Sequence, residues 1–191
     1  GSKPIYWYAL IILSGFLLGL FFVYKTCEKR GVKKDNVWDI ALFGLIFGII
    51  GARIYYVLFA LDEFDSIADM FKVWNGGLAI YGGIIGAIIS TVIYCKVKKL
   101  NIAKVFDVCA PGLFIGQAIG RFGNFVNVEV YGGETNSLFG MSINGATPVH
   151  PLFLYESIWN VIGLVILLLI RDKKKNDGQV FCFYIFWYSF G

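Results

Sequence analysis

Five long apolar stretches constrain the fold of this chain more than any other feature. They cover roughly 5–24, 37–60, 77–95, 104–125 and 150–170. A helix needs about 20 apolar residues to cross the roughly 30 Å hydrocarbon core of a bilayer. Because 58% of the residues are hydrophobic and only 16% are charged, an ordinary soluble domain is excluded. The sequence therefore predicts an all-α, polytopic membrane helix bundle with five complete spans.

A sixth apolar segment, "GQVFCFYIFWYSFG" (178–191), stops where the chain stops. We interpret it as a sixth span that is truncated at Gly191. No linker and no convincing internal repeat interrupts the sequence, so we expect one transmembrane domain over 1–191 that lacks its C-terminal end. A GxxxG pattern in each of the first four spans predicts close helix packing, since small residues let backbones approach. The pairs are Gly15/Gly19, Gly44/Gly48, Gly82/Gly86 and Gly116/Gly120.

The loops between the spans alternate in charge. "KTCEKRGVKK" (25–34), "KVKKLNIAK" (96–104) and "RDKKK" (171–175) are basic. "LDEFDSIADMFK" (61–72) is mainly acidic, and 126–149 contains no Lys or Arg. The positive-inside bias assigns the basic loops to the cytoplasm. We therefore expect the N-terminus and the other two loops to face outward.

Polar residues crowd "IGRFGNFVNVEVYGGET" (119–135), at the end of the fourth span. On a helix, Gly120, Gly123, Asn124 and Asn127 form one stripe, since they are spaced by three and four. We expect the glycines to leave room for a ligand and Arg121 to offer a planar cationic fork suited to phosphate. A phospholipid headgroup is the anion expected at that depth. The alternative is a structural network that ties Arg121 to Glu129.

Other spans carry polar residues at their outward ends. Arg53 either faces a polar partner or extends to the interface. Tyr81 is expected about one turn inside the membrane, with a partner for its hydroxyl. His150 is either a structural polar residue or a base, and Glu156 needs an arginine partner such as Arg53 or Arg121. The inner, cytoplasmic halves of the spans show no comparable group of polar residues, so we expect no polar cluster there.

The sequence does not indicate a metal site. The four cysteines have no metal-ligand spacing, and the single histidine excludes a histidine cluster. We interpret the cysteines as small apolar fillers.

Several of these stretches resemble one family. "GRFGNFVNVEVYG" resembles the signature of the prolipoprotein diacylglyceryl transferases, and four further stretches resemble family motifs in the same order. They are "YWYALIILSGF", "GARIYYVLF", "VWNGGLAIYGGIIG" and "HPLFLYE". The resemblance implies a seven-span protein of the bacterial cytoplasmic membrane, with its N-terminus and active site facing outward.

The activity implied by the resemblance is lipid transfer to a peptide. A diacylglyceryl group passes from phosphatidylglycerol to the lipobox cysteine in the signal peptide of a preprolipoprotein, which forms a thioether and releases glycerol phosphate. The partners implied are those two substrates and the bilayer. No metal or cofactor is implied, and we expect no nucleic-acid partner.

Site residues follow from the resemblance together with the polar pattern. Those expected to act in catalysis are Arg121, Glu129, Tyr81 and His150. Those expected to bind substrate are Arg53, Asn124, Asn127, Gly132, Tyr8 and Glu156. Arg121 would stabilise the departing phosphate, while Glu129 would hold an arginine or take the thiol proton, with His150 as the weaker base candidate.

The sequence departs from the family pattern at two places. Many members carry a histidine where this chain has Tyr81, and a tyrosine with a pKa near 10 is a poor base at neutral pH, although it can orient a phosphate. The resemblance also implies an essential arginine and a seventh span after Gly191. A polypeptide that ended at Gly191 would lack both and is expected to be inactive.

Two other classes compete with a transferase. One is a transporter or channel with an outward-facing site for an anion or a lipid headgroup, and the other is a purely structural membrane subunit. Broken helices and related half-chains, which are common in transporters, are not evident. The cost of burying so many polar groups disfavours the structural subunit.

Overall fold

The computed structural model describes residues 7–64, 66–143 and 145–191. Within these ranges it contains six α-helices. They are α1 (Trp7–Thr26), α2 (Lys34–Phe59), α3 (Ile80–Val97), α4 (Ile102–Asn127), α5 (Leu152–Ile170) and α6 (Gln179–Phe190). Short 3-10 turns occupy several connections, and the described residues form isolated β-bridges but no strand.

Helices α1 to α5 are long and apolar enough to cross a membrane. Their ends differ from the predicted spans by no more than three residues, and residues 5 and 6 of the first predicted span lie outside the described part. Large apolar side chains such as Leu13, Phe21, Ile54 and Ile93 are exposed, as lipid-facing surfaces require. The predicted all-α membrane bundle is confirmed, and the chain is a membrane protein.

The chain divides into two compact units. The first unit comprises Gly1–Arg30 and Phe106–Gly191, and the second comprises Gly31–Val105. The first therefore contains α1, most of α4, α5 and α6, while the second contains α2 and α3. A single domain over 1–191 stays a prediction.

In the first unit, α1 and α4 meet through glycines. A Cβ added at Gly19 would lie 2.5 Å from the carbonyl oxygen of Gly112, and one at Gly15 would lie 3.1 Å from that of Gly116. Any larger residue at Gly19 would push two backbones apart. The predicted GxxxG of α1 is thus a helix-packing motif, and its partner on α4 begins at Gly112.

In the second unit, glycines hold α2 against α3. A Cβ at Gly82 would overlap the carbonyl oxygen of Gly51, and one at Gly86 would overlap that of Phe47. Gly44 has no neighbour that a Cβ would meet. The α3 pair was therefore identified correctly, whereas on α2 the close approach to α3 centres on Gly51 and Phe47 instead of the predicted Gly44/Gly48 pair.

The core of the first unit joins α4, α5 and α6. Its buried cluster consists of Ala110, Phe114, Leu167, Val180 and Tyr184. Toward the other end, the rings of Trp159 and Trp187 stack with centroids 4.4 Å apart. Each indole N–H also donates to the other tryptophan's carbonyl oxygen, at 3.1 and 3.0 Å. These contacts fix the short α6 against α5.

A buried carboxylate in the second turn of α4 contradicts the expectation that the inner halves of the spans carry no polar cluster. Asp107 accepts hydrogen bonds of 2.8 Å from Lys174 Nζ, Gly178 N–H and Phe181 N–H. It therefore caps the first turn of α6 from another helix, where orphan N–H groups and the helix dipole favour a negative charge. Burial alone lowers the pKa of Lys174, but hydrogen bonds to Asp107 and Asp177 outweigh it and raise that pKa above its ordinary value.

A second polar contact lies deeper in the same unit. Gln117 Nε2 donates to the hydroxyl of Tyr184 at 2.8 Å, between α4 and α6. The sequence pattern did not predict either contact, because the partner of a single polar residue in an apolar run is known only once the helices are packed.

Candidate functional site

The polar end of α4 is closed by a strained turn. The N–H of Glu129 donates to the Asn124 carbonyl at 2.9 Å, and that of Val128 donates to Phe125 at 3.1 Å. This is the Schellman pattern, in which the residue after the helix cap adopts the left-handed conformation. Glycine is usual at that position, yet here it is Val128, with φ of 56°. A β-branched residue in this region stores strain, which often marks a functional segment.

An ion pair joins α4 to α5 about two helical turns before Val128. Arg121 Nη2 contacts Glu156 Oε2, and the two side chains are only 24% and 22% exposed. One turn away, Ser157 Oγ donates to the Ala118 carbonyl at 2.8 Å. Glu156 thus has the arginine partner that its position required, and that partner is Arg121. The hydroxyl of Ser157, which the sequence did not single out, holds α5 in register with the pair.

Glu129 belongs to a different pair. Asn127 Nδ2 donates to Glu129 Oε1 at 3.3 Å, and both residues are exposed at the end of α4. The alternative in which Arg121 binds Glu129 is not formed, because the arginine is directed to α5. The amide and the carboxylate therefore lie beside the turn, open to a ligand.

Gly132 brings the following segment against His150. Its N–H donates to the His150 carbonyl at 2.9 Å, and the His150 N–H donates to Gly133 at 3.1 Å. A Cβ at Gly132 would lie 2.8 Å from the His150 Cβ, so a larger side chain would separate the two segments. Gly132, which was predicted to bind substrate, thus has a structural role, because only glycine lets the two backbone segments approach this closely.

The imidazole of His150 lies against α5. Its Nδ1 is 3.2 Å from the hydroxyl of Tyr155, one residue before Glu156. His150, Tyr155 and Glu156 are thus connected through the first turn of α5. This contact fixes the ring and occupies one of its two nitrogens.

The glycine stripe of α4 is filled by α1. A Cβ at Gly123 would lie 2.9 Å from Tyr8 Cδ2, and one at Gly120 would lie 3.4 Å from Ile12 Cδ1. The expectation that these glycines leave room for a ligand is therefore wrong for these two positions. They admit α1, and in doing so they place the Tyr8 ring at the polar end of α4.

Arg53, in the second unit, organises a loop. It is 7% exposed. Its Nε, Nη1 and Nη2 atoms make five hydrogen bonds of 2.7 to 3.3 Å, all to backbone carbonyls. Those carbonyls belong to Asp69, Met70, Lys72, Gly76 and Gly77. A guanidinium has five N–H donors, so none remains for a phosphate in this arrangement.

Tyr81 lies in the same unit, in the first turn of α3. Its side chain is 68% exposed, and its ring centroid is 6.4 Å from that of Tyr55. The side chain is therefore exposed on the surface of this unit, and its depth in the membrane stays a prediction. The exposure leaves the hydroxyl accessible.

The predicted site residues thus fall into two groups. Those at the polar end of the first unit are Tyr8, Arg121, Asn124, Asn127, Glu129, Gly132, His150 and Glu156. Arg53 and Tyr81 belong to the second unit. Over the described ranges, no three His, Cys, Asp or Glu side chains group so as to hold a metal ion.

Comparison with known proteins assigns this arrangement to a family. The family model "Prolipoprotein diacylglyceryl transferase" matches residues 1–191. The chain belongs to this family. Proteins named phosphatidylglycerol–prolipoprotein diacylglyceryl transferase from Listeria innocua, Listeria monocytogenes and Shouchella clausii are each 42% identical over 204 aligned residues. Each alignment covers 100% of this chain and 73% of the relative.

Family membership confirms the resemblance drawn from the motifs. The signature stretch lies on the polar end of α4, and "HPLFLYE" supplies both the His150 backbone contact and Glu156. The two motifs that looked separate in sequence are therefore joined by one ion pair and one short backbone pairing.

Replacing Arg53 tests its role in the loop. Arg53→Gln leaves five carbonyls without their donors, so we expect the free energy of unfolding to fall by about 3 kcal/mol or more. Arg53→Lys should lose nearly as much, because a point-like ammonium cannot reach carbonyls spread around a planar fork. Thermal unfolding and limited proteolysis within 61–79 measure both effects. Lys72→Gln, which removes a partly exposed ion pair with Asp69, is the control and should change little. Equal behaviour of the Arg53 and Lys72 variants would refute this role.

Replacing Val128 tests the strained turn. Val128→Gly should stabilise the protein by about 1 kcal/mol, since glycine adopts the left-handed conformation without the clash of a β-branched side chain. Val126→Gly, inside the last turn of α4, is the matched control and should destabilise it, because there glycine only adds chain entropy. Thermal unfolding of the two variants decides the matter. Destabilisation of the same size in both would show that Val128 carries no strain.

Proposed function

We propose that the chain transfers a diacylglyceryl group from phosphatidylglycerol to the lipobox cysteine of a prolipoprotein. The observation that supports this most strongly is the half-buried Arg121–Glu156 pair at the end of α4, within the family's signature stretch. A cation held in an apolar protein beside exposed amide and carboxylate groups suits a lipid headgroup phosphate.

The reaction forms one bond and breaks one. The substrate's cysteine thiolate attacks the glycerol carbon that bears the phosphate ester, so a C–S bond replaces a C–O bond. The lipid phosphate is a diester with one negative charge, and it leaves as a glycerol phosphate monoester with two. The thiol proton passes to a base of the protein. Charge therefore accumulates at the phosphate during the step.

Arg121 stabilises that charge. Its attraction for the phosphate grows as the second negative charge develops, which lowers the transition state more than the bound lipid. Glu156 orients the guanidinium from α5, and Ser157 keeps α5 in place. Because both helices are rigid, the cation is positioned before the lipid arrives.

Groups around Arg121 position the headgroup. Asn124 and Asn127 offer amide donors, and the Tyr8 ring packs on Gly123 beside them. Within the second unit, Tyr81 has an exposed hydroxyl, whereas the donors of Arg53 are all used by the loop that it organises. Gly132 acts indirectly, since it allows the segment bearing Glu129 to pair with His150.

Two side chains can take the thiol proton, and Glu129 fits better. Its carboxylate is exposed at the strained end of α4 and accepts one hydrogen bond, from Asn127. The His150 ring has Nδ1 within 3.2 Å of the Tyr155 hydroxyl. We assign proton removal to Glu129.

The proposed site faces outward from the bacterial cytoplasmic membrane. In the first unit, the Arg30–Asp172 ion pair joins the segment after α1 to the segment after α5, so the two basic stretches share one end. Arg121 lies on α4, 14 residues or about 21 Å beyond Asp107, toward the other end. The positive-inside bias places the basic end in the cytoplasm.

A double-mutant cycle tests the Arg121–Glu156 pair. Arg121→Gln should lower kcat/KM for glycerol phosphate release by about 10²–10³-fold, as expected for a lost transition-state donor. Glu156→Gln should slow the reaction less. The double variant should resemble Arg121→Gln alone, because Glu156 acts only through the arginine. The assay combines phosphatidylglycerol with a lipobox peptide and detects the thioether by mass spectrometry.

Asp172→Asn is the control for that cycle. It removes an arginine–carboxylate pair at the opposite end of the same unit and should leave turnover near normal. Near-normal turnover of Arg121→Gln would remove its proposed role. Strictly additive losses in the double variant would show that Glu156 does not work through Arg121.

Two amide substitutions test the assignment of the base. Glu129→Gln should lower kcat by about 10²-fold or more and remove the acidic limb of the pH–rate profile, because the carboxylate that accepts the proton is gone. His150→Gln should keep that limb and most of the rate. If His150→Gln instead loses the limb while Glu129→Gln keeps it, the base is His150.

A further inference from the structure

A small cavity lies at the basic end of the first unit, where α1, α4, α5 and α6 meet. It has a volume of about 20 Å³, enough for one water-sized atom. Its polar lining comes from Thr26, Arg30, Asp107, Arg171 and Lys174. The cavity is separate from the Arg121 site, since Asp107 and Arg121 are about 21 Å apart along α4.

Most charges around this cavity are already paired. Lys174 binds Asp107 and Asp177, at 2.8 and 2.9 Å. The two oxygens of Asp107 also accept the N–H groups that begin α6. Arg30 is paired with Asp172. The carboxylates near the cavity are thus committed to other groups.

Arg171 is the exception. Its Nε–H is buried and has no hydrogen-bond acceptor among the described residues. Its guanidinium carbon lies 5.7 Å from the centroid of the Phe22 ring, which offers only a cation–π contact. Leaving a buried guanidinium N–H unpaired costs free energy, so the arrangement favours an acceptor that enters from outside.

The chemistry of that acceptor follows from the surroundings. Two guanidinium groups, Arg30 and Arg171, line one cavity, and their repulsion is relieved by an anion between them. The adjoining stretches 25–30 and 171–177, together with Asp107, carry seven Lys or Arg and four Asp or Glu. Basic pockets at the cytoplasmic ends of membrane helices hold anionic lipid headgroups.

We propose that this cavity binds one oxygen of a phosphate anion, with Arg171 as the principal ligand and Arg30 as the second. The remainder of the phosphate stays outside the cavity. The same chemistry is offered by an anionic phospholipid headgroup and by free phosphate. Bound there, the anion ties the segment after α1 to the segment that connects α5 with α6.

Binding measurements on the purified protein in uncharged detergent test this site. The probes are dihexanoyl phosphatidic acid, inorganic phosphate and dihexanoyl phosphatidylcholine, followed by calorimetric titration and thermal unfolding at constant salt. We expect saturable binding of phosphatidic acid and a higher Tm. Arg171→Gln should weaken that binding by about 10-fold or more, the loss expected for a charge-assisted hydrogen bond. Similar affinity for inorganic phosphate would identify free phosphate as sufficient, and much weaker affinity would identify the lipid headgroup.

Three controls make the result decisive. Lys173→Gln removes the same charge two residues away on the surface and should weaken binding far less than Arg171→Gln. Arg171→Gln should cause the same loss in the Arg121→Gln background, which separates this site from the proposed active site. If Arg171→Gln does not fold, Arg171→Lys, which keeps the charge but loses Nε–H, should show an intermediate loss. Equal losses in the Arg171 and Lys173 variants, or equal binding of phosphatidylcholine and phosphatidic acid, would overturn the proposal.

Discussion

A polar group buried among apolar helices needs a partner from the chain or from a bound ligand, because neither lipid tails nor a neighbouring apolar side chain can supply one. Three charged groups show how this requirement organises the structure. Arg53 binds the carbonyls of a whole loop, Asp107 caps α6 and binds Lys174, and Arg121 meets Glu156. Each joins segments that are distant in sequence. By the same rule, the buried Nε–H of Arg171, which has no acceptor among the described residues, favours binding of an anion.

Glycines determine how closely the helices can come to satisfy those groups. Gly19 and Gly112 bring α1 onto α4, and Gly51 and Gly82 bring α2 onto α3. Packing of this kind replaces the hydrophobic effect, which gives no driving force between helices in lipid. Close approach has a second result at Gly123, since it sets the ring of Tyr8 beside the polar end of α4. Helix packing and site construction therefore depend on the same small residues.

The proposed active site uses the ends of rigid helices. The cation and its carboxylate partner lie on α4 and α5, so their geometry is fixed without substrate. The groups proposed to meet the peptide and its proton, above all Glu129, lie in the strained turn beyond α4. This division suits the proposed reaction, because the cation that stabilises the phosphate must be precisely positioned, whereas the group that meets the peptide must be accessible. Family membership argues for the transferase over a transporter or a structural subunit.

Composition and periodicity were sufficient for the number of long spans, their limits to within three residues and the membrane class, because apolar length is a local property. The order of the motifs along the chain was sufficient to identify the family. The pairing of Glu156 with Arg121, the commitment of Arg53 to a loop and the polar contacts of Asp107 needed tertiary structure. Hydrogen-bond partners separated by 16 to 74 residues leave no periodic trace in sequence. For the same reason, the pattern of Gly120 and Gly123 showed that something approaches α4, but only the packed structure showed that it is α1.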